Sequence, residues 1–255
     1  MPLSFYKKPA LVVYVTCGDP DLATTRTIVL SAIAAGADVI ELGVPFSDPV
    51  ADGPDIQRAS ERALQQGTTL AQVLTLAADV RQHAQSTGMI VFSYLNPILR
   101  MGMEKFCRVA RHAGVDGALL TDLPVEEAGE YLRAMRAHDL APVFLAAPTS
   151  PDDRLKRIAA ASRGFVYAVS RTGVTGARQQ LAEDAQKLVR RLRRLTKLPI
   201  AVGFGISNAE QFAEAGKFAD AVVVGSAIVE TIEQNQGREA EAVGDFVRKL
   251  SAKMS

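Results

Sequence analysis

Eight short apolar segments recur from one end of the chain to the other, and their rhythm limits the fold more than any other feature. They read LVVYVTCG (11–18), DVIELGV (38–44), GMIVFSY (88–94), GALLTDL (117–123), APVFLAAP (141–148), GFVYAVS (164–170), PIAVGFGI (199–206) and AVVVGSAI (221–228). Most are apolar on both faces, as parallel strands covered by helices are. The stretches between them carry the period of a helix. In EEAGEYLRAMRAHD, Ala128, Leu132 and Met135 fall on one face. In LAEDAQKLVRRLRRLT, Leu181, Ala185, Leu188, Leu192 and Leu195 form a stripe. Glu183 and Asp184 stand near its start and Lys187, Arg190, Arg191, Arg193 and Arg194 toward its end, the order a helix dipole favours.

Eight β-then-α units in 255 residues, with no linker, low-complexity tract or composition break, predict one (β/α)8 barrel domain over residues 1–255. A doubly wound sheet is the alternative. It would want fewer strands and often a glycine fingerprint after the first, where this chain has Cys17-Gly18-Asp19-Pro20. Two helix-to-strand joints, AAGADVIEL (34–42) and HAGVDGALL (112–120), repeat a Gly followed by an Asp. Glycine is the natural residue past a helix end because the left-handed conformation costs it little.

Composition acts by exclusion. With 29 basic and 28 acidic side chains the net charge is +1, which argues against a dedicated nucleic-acid binder. The basic cluster at 187–194 reads as the polar face of an amphipathic helix. No apolar run reaches the roughly 20 residues of a membrane helix, and the lysines before LVVYV introduce a strand, not a signal peptide. Cys17 and Cys107 are too few for a disulfide scaffold and suit a reduced cytoplasmic setting. His83, His112 and His138 lie near helix ends and no Cys/His cluster exists, so no metal site is expected.

In a barrel, chemistry gathers at the C-terminal ends of the strands. The first group there is ELGVPFSDPVADGP (41–54). Glu41 interrupts an apolar strand and shares a face with Val39 and Gly43. A carboxylate on the inner face of a barrel is costly unless paired or used, and burial would make it an acid–base group near neutral pH. It reads either as a salt-bridged structural residue or as a catalytic one. The loop after it holds Asp48, Asp52, Gly53 and the prolines Pro45, Pro49 and Pro54. Asp48 or Asp52 could cap the helix that begins near Pro54. Alternatively, Asp52, 11 residues beyond Glu41, closes on a ligand from another side.

The second group is a set of glycine-bearing strand ends: Ser170–Gly176, Gly203–Asn208 and Gly225-Ser226-Ala227. Exposed N–H groups, a helix N-terminus and the close approach that glycine allows make this a phosphate site. Recognition by backbone dipoles needs no basic excess. Phe92, Tyr94, Asn96, Tyr167 and Phe204 stand on or near strand C-termini, where aromatic rings suit either core layers or a flat apolar ligand.

The segments ELGVPFSDPVADGP, SYLNPILRMGMEKF, TDLPVEE, SRTGVTG, VGFGIS and VGSAIV occur in that order over nearly the whole chain. Together they resemble the α subunit of tryptophan synthase. The resemblance implies a TIM barrel that cleaves indole-3-glycerol phosphate by a retro-aldol reaction to indole and glyceraldehyde 3-phosphate. It implies a pyridoxal-phosphate β subunit as partner in an α2β2 assembly, and no organic cofactor or metal in the α chain. Carried over residue by residue, Glu41 matches the general acid/base at the indole C3 carbon, and Asp52 the carboxylate at the indole N–H. Gly176, Gly205, Gly225 and Ser226 match phosphate-binding positions. Tyr14, Phe92, Tyr94, Tyr167, Thr175 and Phe204 match the pocket wall or its closing loops, with Thr175 closing over Asp52. Pro45, Asp48, Asn96 and Pro124 match the β-subunit interface.

The chain departs from that pattern at its start, where the first strand is already reached at Leu11 and an additional helix that plugs the barrel bottom in relatives has no counterpart. Phe5 and Tyr6 are the candidates to cover that end. Cys17 and Phe92 are not the commonest choices at their positions, and a bulky Phe92 tightens the pocket. Another phosphate-binding barrel of the same pathway would lean on a catalytic Lys or Cys, and no strand end offers a Lys. A non-catalytic regulatory subunit would not need both Glu41 and Asp52.

Overall fold

All strand pairings in the computed structural model are parallel, and their order follows the chain around a ring. The structure describes residues 3, 5, 7–169, 178–203 and 205–251, with only the backbone of 178–181. In chain order the elements are β1 Ala10–Thr16, α1 Leu22–Ala34, β2 Val39–Gly43, α2 Pro54–Gln65, α3 Leu70–His83, β3 Gly88–Ser93, α4 Leu95–Met101 and α5 Met103–His112. There follow β4 Gly117–Leu120, α6 Gly129–Ala137, β5 Ala141–Val143, β6 Leu145–Ala146, α7 Asp152–Ala161, β7 Val166–Val169 and α8 Arg178–Arg193. The chain finishes with β8 Ile200–Gly203, α9 Ala209–Gly216, β9 Ala221–Val224, α10 Ser226–Gln234 and α11 Glu239–Ser251.

The sheet runs β5-β4-β3-β2-β1-β9-β8-β7-β6. Its two ends are halves of one interrupted strand. Residues 141–143 pair with β4, residues 145–146 pair with β7, and the Phe144 carbonyl between them accepts from Tyr167 N–H at 3.1 Å. The ring is therefore closed with eight strand positions, as the apolar rhythm predicts, and the doubly wound alternative is excluded. The observed strands end up to four residues before the apolar runs do, because the chain turns out into loops, or after β9 into the first turn of α10, while its composition is still apolar.

Two apolar layers result. Val13, Ile40, Leu42, Val91 and Val202 face the helices. Val12, Val39, Ile90, Leu119, Val143, Tyr167 and Val223 face inward, toward one another. At the bottom of the ring the inward residues are small: Ala10, Ala141, Ala201 and Ala221. Leu3 fills the room they leave, and Phe5 packs on Phe165 with ring centroids 5.4 Å apart. A Cβ on Gly88 or Gly164 would come within 3 Å of the Leu3 side chain, so the glycines there make its seat. Of the two residues expected to cover this end, Phe5 does so, Tyr6 lies outside the described residues, and Leu3 takes a place the sequence reading left empty.

The Gly-Asp joints have a common geometry. Gly36 (φ +114°) and Gly114 (φ +75°) each follow a helix end, with paired hydrogen bonds closing back on the last turn: Gly36 N–H to Ile33 O and Ala37 N–H to Ala32 O, Gly114 N–H to Arg111 O and Val115 N–H to Ala110 O. The aspartate after each joint then grips the preceding strand from both sides. Asp38 N–H donates to Leu11 O while its carboxylate accepts from Leu11 N–H at 2.9 Å, and Asp116 does the same with Met89. Asp220 repeats the contact with Ile200. Basic residues neutralise the buried ends of these carboxylates: Lys7 for Asp38, Arg81 for Asp116, and Lys8 and Arg193 for Asp220. The inner stripe of α8 is buried at Ala185, Leu188 and Leu192, and Leu181 lies outside the described side chains. Its basic face is partly spent at home, since Arg191 holds Asp152 and the carbonyls of Pro148 and Ser150.

Candidate active site

Glu41 is the one inward-facing acid of the described strands, set in register between Tyr14 of β1 and Ile90 of β3. Only 1% of its surface is exposed, and neither carboxylate oxygen has a hydrogen-bond partner. The salt-bridged alternative is thereby excluded. Burial pushes its carboxyl from the usual 4.5 up to about 8, so at neutral pH it holds a proton.

Tyr14 stands directly beside it. The Tyr14 ring leans over Gly43, where a Cβ would lie 2.4 Å from the phenol oxygen, so only glycine leaves it room. Tyr167 leans over Gly203 in the same way from the opposite side of the barrel. Thr16 donates to the Tyr14 hydroxyl at 3.2 Å, and Phe92 meets the Tyr14 ring edge-on at 5.1 Å. Burial first, then the charges of Asp52 and Glu41 among others, hold the Tyr14 hydroxyl well above its usual range. Both carboxylates thus lie near enough to this one phenol to raise it.

Asp52 lies on the loop between β2 and α2. The helix is capped by Gly53 with no side-chain hydrogen bond, so neither Asp48 nor Asp52 is consumed as a cap. The loop is held instead by Tyr94 at the end of β3, whose hydroxyl accepts from Ala51 N–H at 2.9 Å and hydrogen-bonds the Asp52 carboxylate. Phe46 stacks on the Tyr94 ring at 5.0 Å. Burial raises the Asp52 carboxyl to about 6, against the opposing effect of the Tyr94 hydrogen bond. Thr16 and Phe46 escaped the sequence reading; Phe46 lay in the quoted loop motif, but nothing local signalled its ring partner.

On the neighbouring strand ends, Gly205 adopts φ +76° and Gly225 caps α10, whose first residue is Ser226. The first-turn N–H groups of a helix have no intrahelical acceptor, which suits them to an anion. Gly176, Thr175 and Phe204 lie outside the described residues. Along the rim, Asp48 and Asn96 are exposed and Pro124 is half-buried, whereas Pro45 is buried in the wall of a groove of about 400 Å³ with Phe46, Leu64 and Pro97. Val50 on the loop after β2 and Leu99 on α4 are 84% and 53% exposed. Among the described residues no group of three or more His, Cys, Asp or Glu is placed to hold a metal ion, and no helix is long and apolar enough to cross a membrane.

A closed parallel barrel that carries a buried, unpaired acid on its inner face, a second carboxylate in the loop after that strand and a glycine-capped helix N-terminus has the build of a (β/α)8 enzyme. The model of the tryptophan synthase alpha chain family matches residues 3–254. The chain is 53% identical to the tryptophan synthase alpha chain of Solibacter usitatus over 95% of its own length and 91% of that protein's. It is 48% identical to the one from Methylococcus capsulatus over 96% and 91%. A solved structure described as the tryptophan synthase complex from Pyrococcus furiosus superposes with a TM-score of 0.90 at 40% identity, covering 97% of this chain and 99% of that one. The chain belongs to the tryptophan synthase alpha chain family.

Proposed function

We propose that this chain is a carbon–carbon lyase that cleaves indole-3-glycerol phosphate to indole and glyceraldehyde 3-phosphate, with Glu41 as acid/base and Asp52 as the partner of the indole N–H. The observation that carries the reading is Glu41 itself, a buried carboxyl with no protein partner and a raised pKa. Leaving a buried polar group unsatisfied costs stability, and it persists where a ligand uses it.

The bond to be broken joins the indole C3 carbon to the glycerol chain. It breaks only when the ring can take the bonding electrons. Protonated Glu41 gives its proton to C3, and the ring nitrogen takes up positive charge. Asp52, ionised above about pH 6, accepts the N–H and stabilises that charge. Loss of a proton from the glycerol hydroxyl then forms the aldehyde carbonyl, and the C–C electrons return to the ring and restore the indole. Glu41, now a carboxylate with both oxygens free of protein donors, is placed to take that proton. Tyr14, Phe92, Tyr94 and Tyr167 wall the indole end, and Thr175 and Phe204, outside the described residues, are assigned to the wall or its closing loops by the family resemblance alone. Gly205, Gly225 and Ser226 hold the phosphate, and Gly176, outside the described residues, joins them by the family resemblance alone.

The rim with Asp48, Asn96 and Pro124, with Pro45 beneath it, docks on a tryptophan synthase β subunit. The support for that reading is the likeness to a solved chain described as part of a tryptophan synthase complex, with Asp48 and Asn96 exposed on this rim. The two free, buried cysteines suit a cytoplasmic protein.

Incubation of the purified chain with indole-3-glycerol phosphate in heavy water tests the reading. Indole and glyceraldehyde 3-phosphate should appear in equal amounts, and the indole should carry deuterium at C3. No indole, or indole without the label, overturns it.

A further inference from the structure

An ion-pair network joins the two walls of this site. Glu233 of α10 accepts from two arginines of α2: from Arg58 Nη2 at 2.8 Å and Nε at 3.2 Å, and from Arg62 Nη1 at 2.8 Å. The rest of the Arg62 guanidinium grips Asp19 with two parallel bonds of 2.8 Å. Asp19 follows β1 and is buried, with 2% of its surface exposed. Arg58 also holds Asp55 in the first turn of α2 at 2.9 Å.

The positions of these helices give the network its interest. α2 starts two residues after Asp52, and α10 starts at Ser226 beside Gly225. The two helices flank β1, and Ala59 of α2 and Val229 of α10 pack on Tyr14 in one buried cluster. Ile56 of α2 and Phe92 pack against the same cluster, but apolar contact is non-directional and leaves the two helices free to slide. Arg62 adds direction, because a planar guanidinium held at three nitrogens leaves little freedom to rotate or slide.

We infer that Glu233, through Arg58 and Arg62, is a positioning residue that sets the distance between the Asp52 loop and the phosphate-binding end of α10. The inference rests on the reading of the site given above. A substrate held at both ends is sensitive to the span between its two holding points, whereas a fragment held at one end is not. Misplacement by about 1 Å can cost on the order of a hundredfold in rate.

The test compares the whole substrate with its fragments in the full-length chain. Glu233→Ala should lower kcat/KM for indole-3-glycerol phosphate roughly tenfold, well inside that range. The same variant should bind glycerol 3-phosphate and indole, each measured alone, as the wild type does. Glu233→Gln keeps an acceptor and the shape, and should recover part of the loss. A purely structural role would lower the melting temperature and leave kcat/KM of the folded variant unchanged, which overturns the proposal. So does a fall in fragment affinity parallel to that of the whole substrate. If Glu233→Ala fails to fold, Arg58→Ala removes the exposed half of the network and should show the same selectivity. If the wild type releases no indole, the cleavage reading fails, and calorimetric binding of whole substrate against fragments still decides the role of Glu233.

Discussion

Glu41 should make the folded protein less stable as pH rises, and Glu41→Gln should remove that loss. Unfolded, the side chain titrates at its usual 4.5; folded, burial holds it at about 8. Between those values the unfolded chain has released a proton that the native protein retains. The unfolded state therefore binds fewer protons, and stability falls with pH at about 1.4 kcal/mol per pH unit. Above about pH 8 both states are ionised and the loss levels off at roughly 5 kcal/mol. Between pH 5 and pH 9 the wild type should lose about 4 kcal/mol relative to Glu41→Gln, which has no charge there in either state. In a chain of this size that corresponds to a gap in melting temperature on the order of 10 °C. Any fixed cost of placing an unpaired amide in the barrel cancels, because only the change with pH is read. Melting curves of both proteins across this range provide the measurement. A stability difference that stays constant with pH would refute the reasoning, since it would mean that Glu41 is ionised or paired throughout.

Activity should follow a bell in pH, because Asp52 must be ionised and Glu41 protonated; kcat/KM should rise near pH 6 and fall near pH 8, and Asp52→Asn should lower the maximum and remove the acid limb. A profile flat across that range would separate the two carboxyls from the chemistry. Tyr94→Phe deletes the hydroxyl that holds Ala51 N–H and the Asp52 carboxylate. It should move the acid limb to higher pH and cut kcat/KM by about tenfold, the weight of a hydrogen bond to a charged group, with little change in the melting temperature; an unmoved acid limb would remove Tyr94 from the support of Asp52. Gly43→Ala should cost about 1–3 kcal/mol by driving a methyl group into the Tyr14 phenol. Because the phenol oxygen and two ring carbons all lie within 3 Å of that methyl, Tyr14→Ala should recover part of that cost in a double-mutant cycle, and strict additivity would count against the contact.

Much of this architecture is legible in the order of the residues. The repeat of apolar runs gave eight strand positions and a closed ring, and strand alternation alone placed Glu41 inward beside Val39 and Gly43. Glycine after a helix end was readable at Gly36 and Gly114, because left-handed backbone selects for it. The same joint after α6 was hidden, since Asp139 takes that conformation at φ +51° with no glycine to announce it. The aspartates after the joints were visible as a repeat, but their grip on the preceding strand was not, because the strand residue each one holds is 20 to 27 residues earlier in the chain. Distance in sequence hid the pairing of Arg62 with Asp19 and Glu233 for the same reason, at separations of 43 and 171 residues. The break at Phe144 is a tertiary effect, imposed by closing the ring, and APVFLAAP carries no local sign of it. Whether Asp52 caps α2 was undecidable from spacing; Gly53 settled it by taking the cap position itself.

The central claim is that a neutral, unpaired Glu41 supplies the proton that opens the C–C bond. Indole release from indole-3-glycerol phosphate by the wild type and by Glu41→Gln at pH 7, with glycerol 3-phosphate binding followed on the same preparations, tests it most directly. Glu41→Gln should keep its affinity for glycerol 3-phosphate and lose indole release. Turnover at the wild-type rate by Glu41→Gln would contradict it.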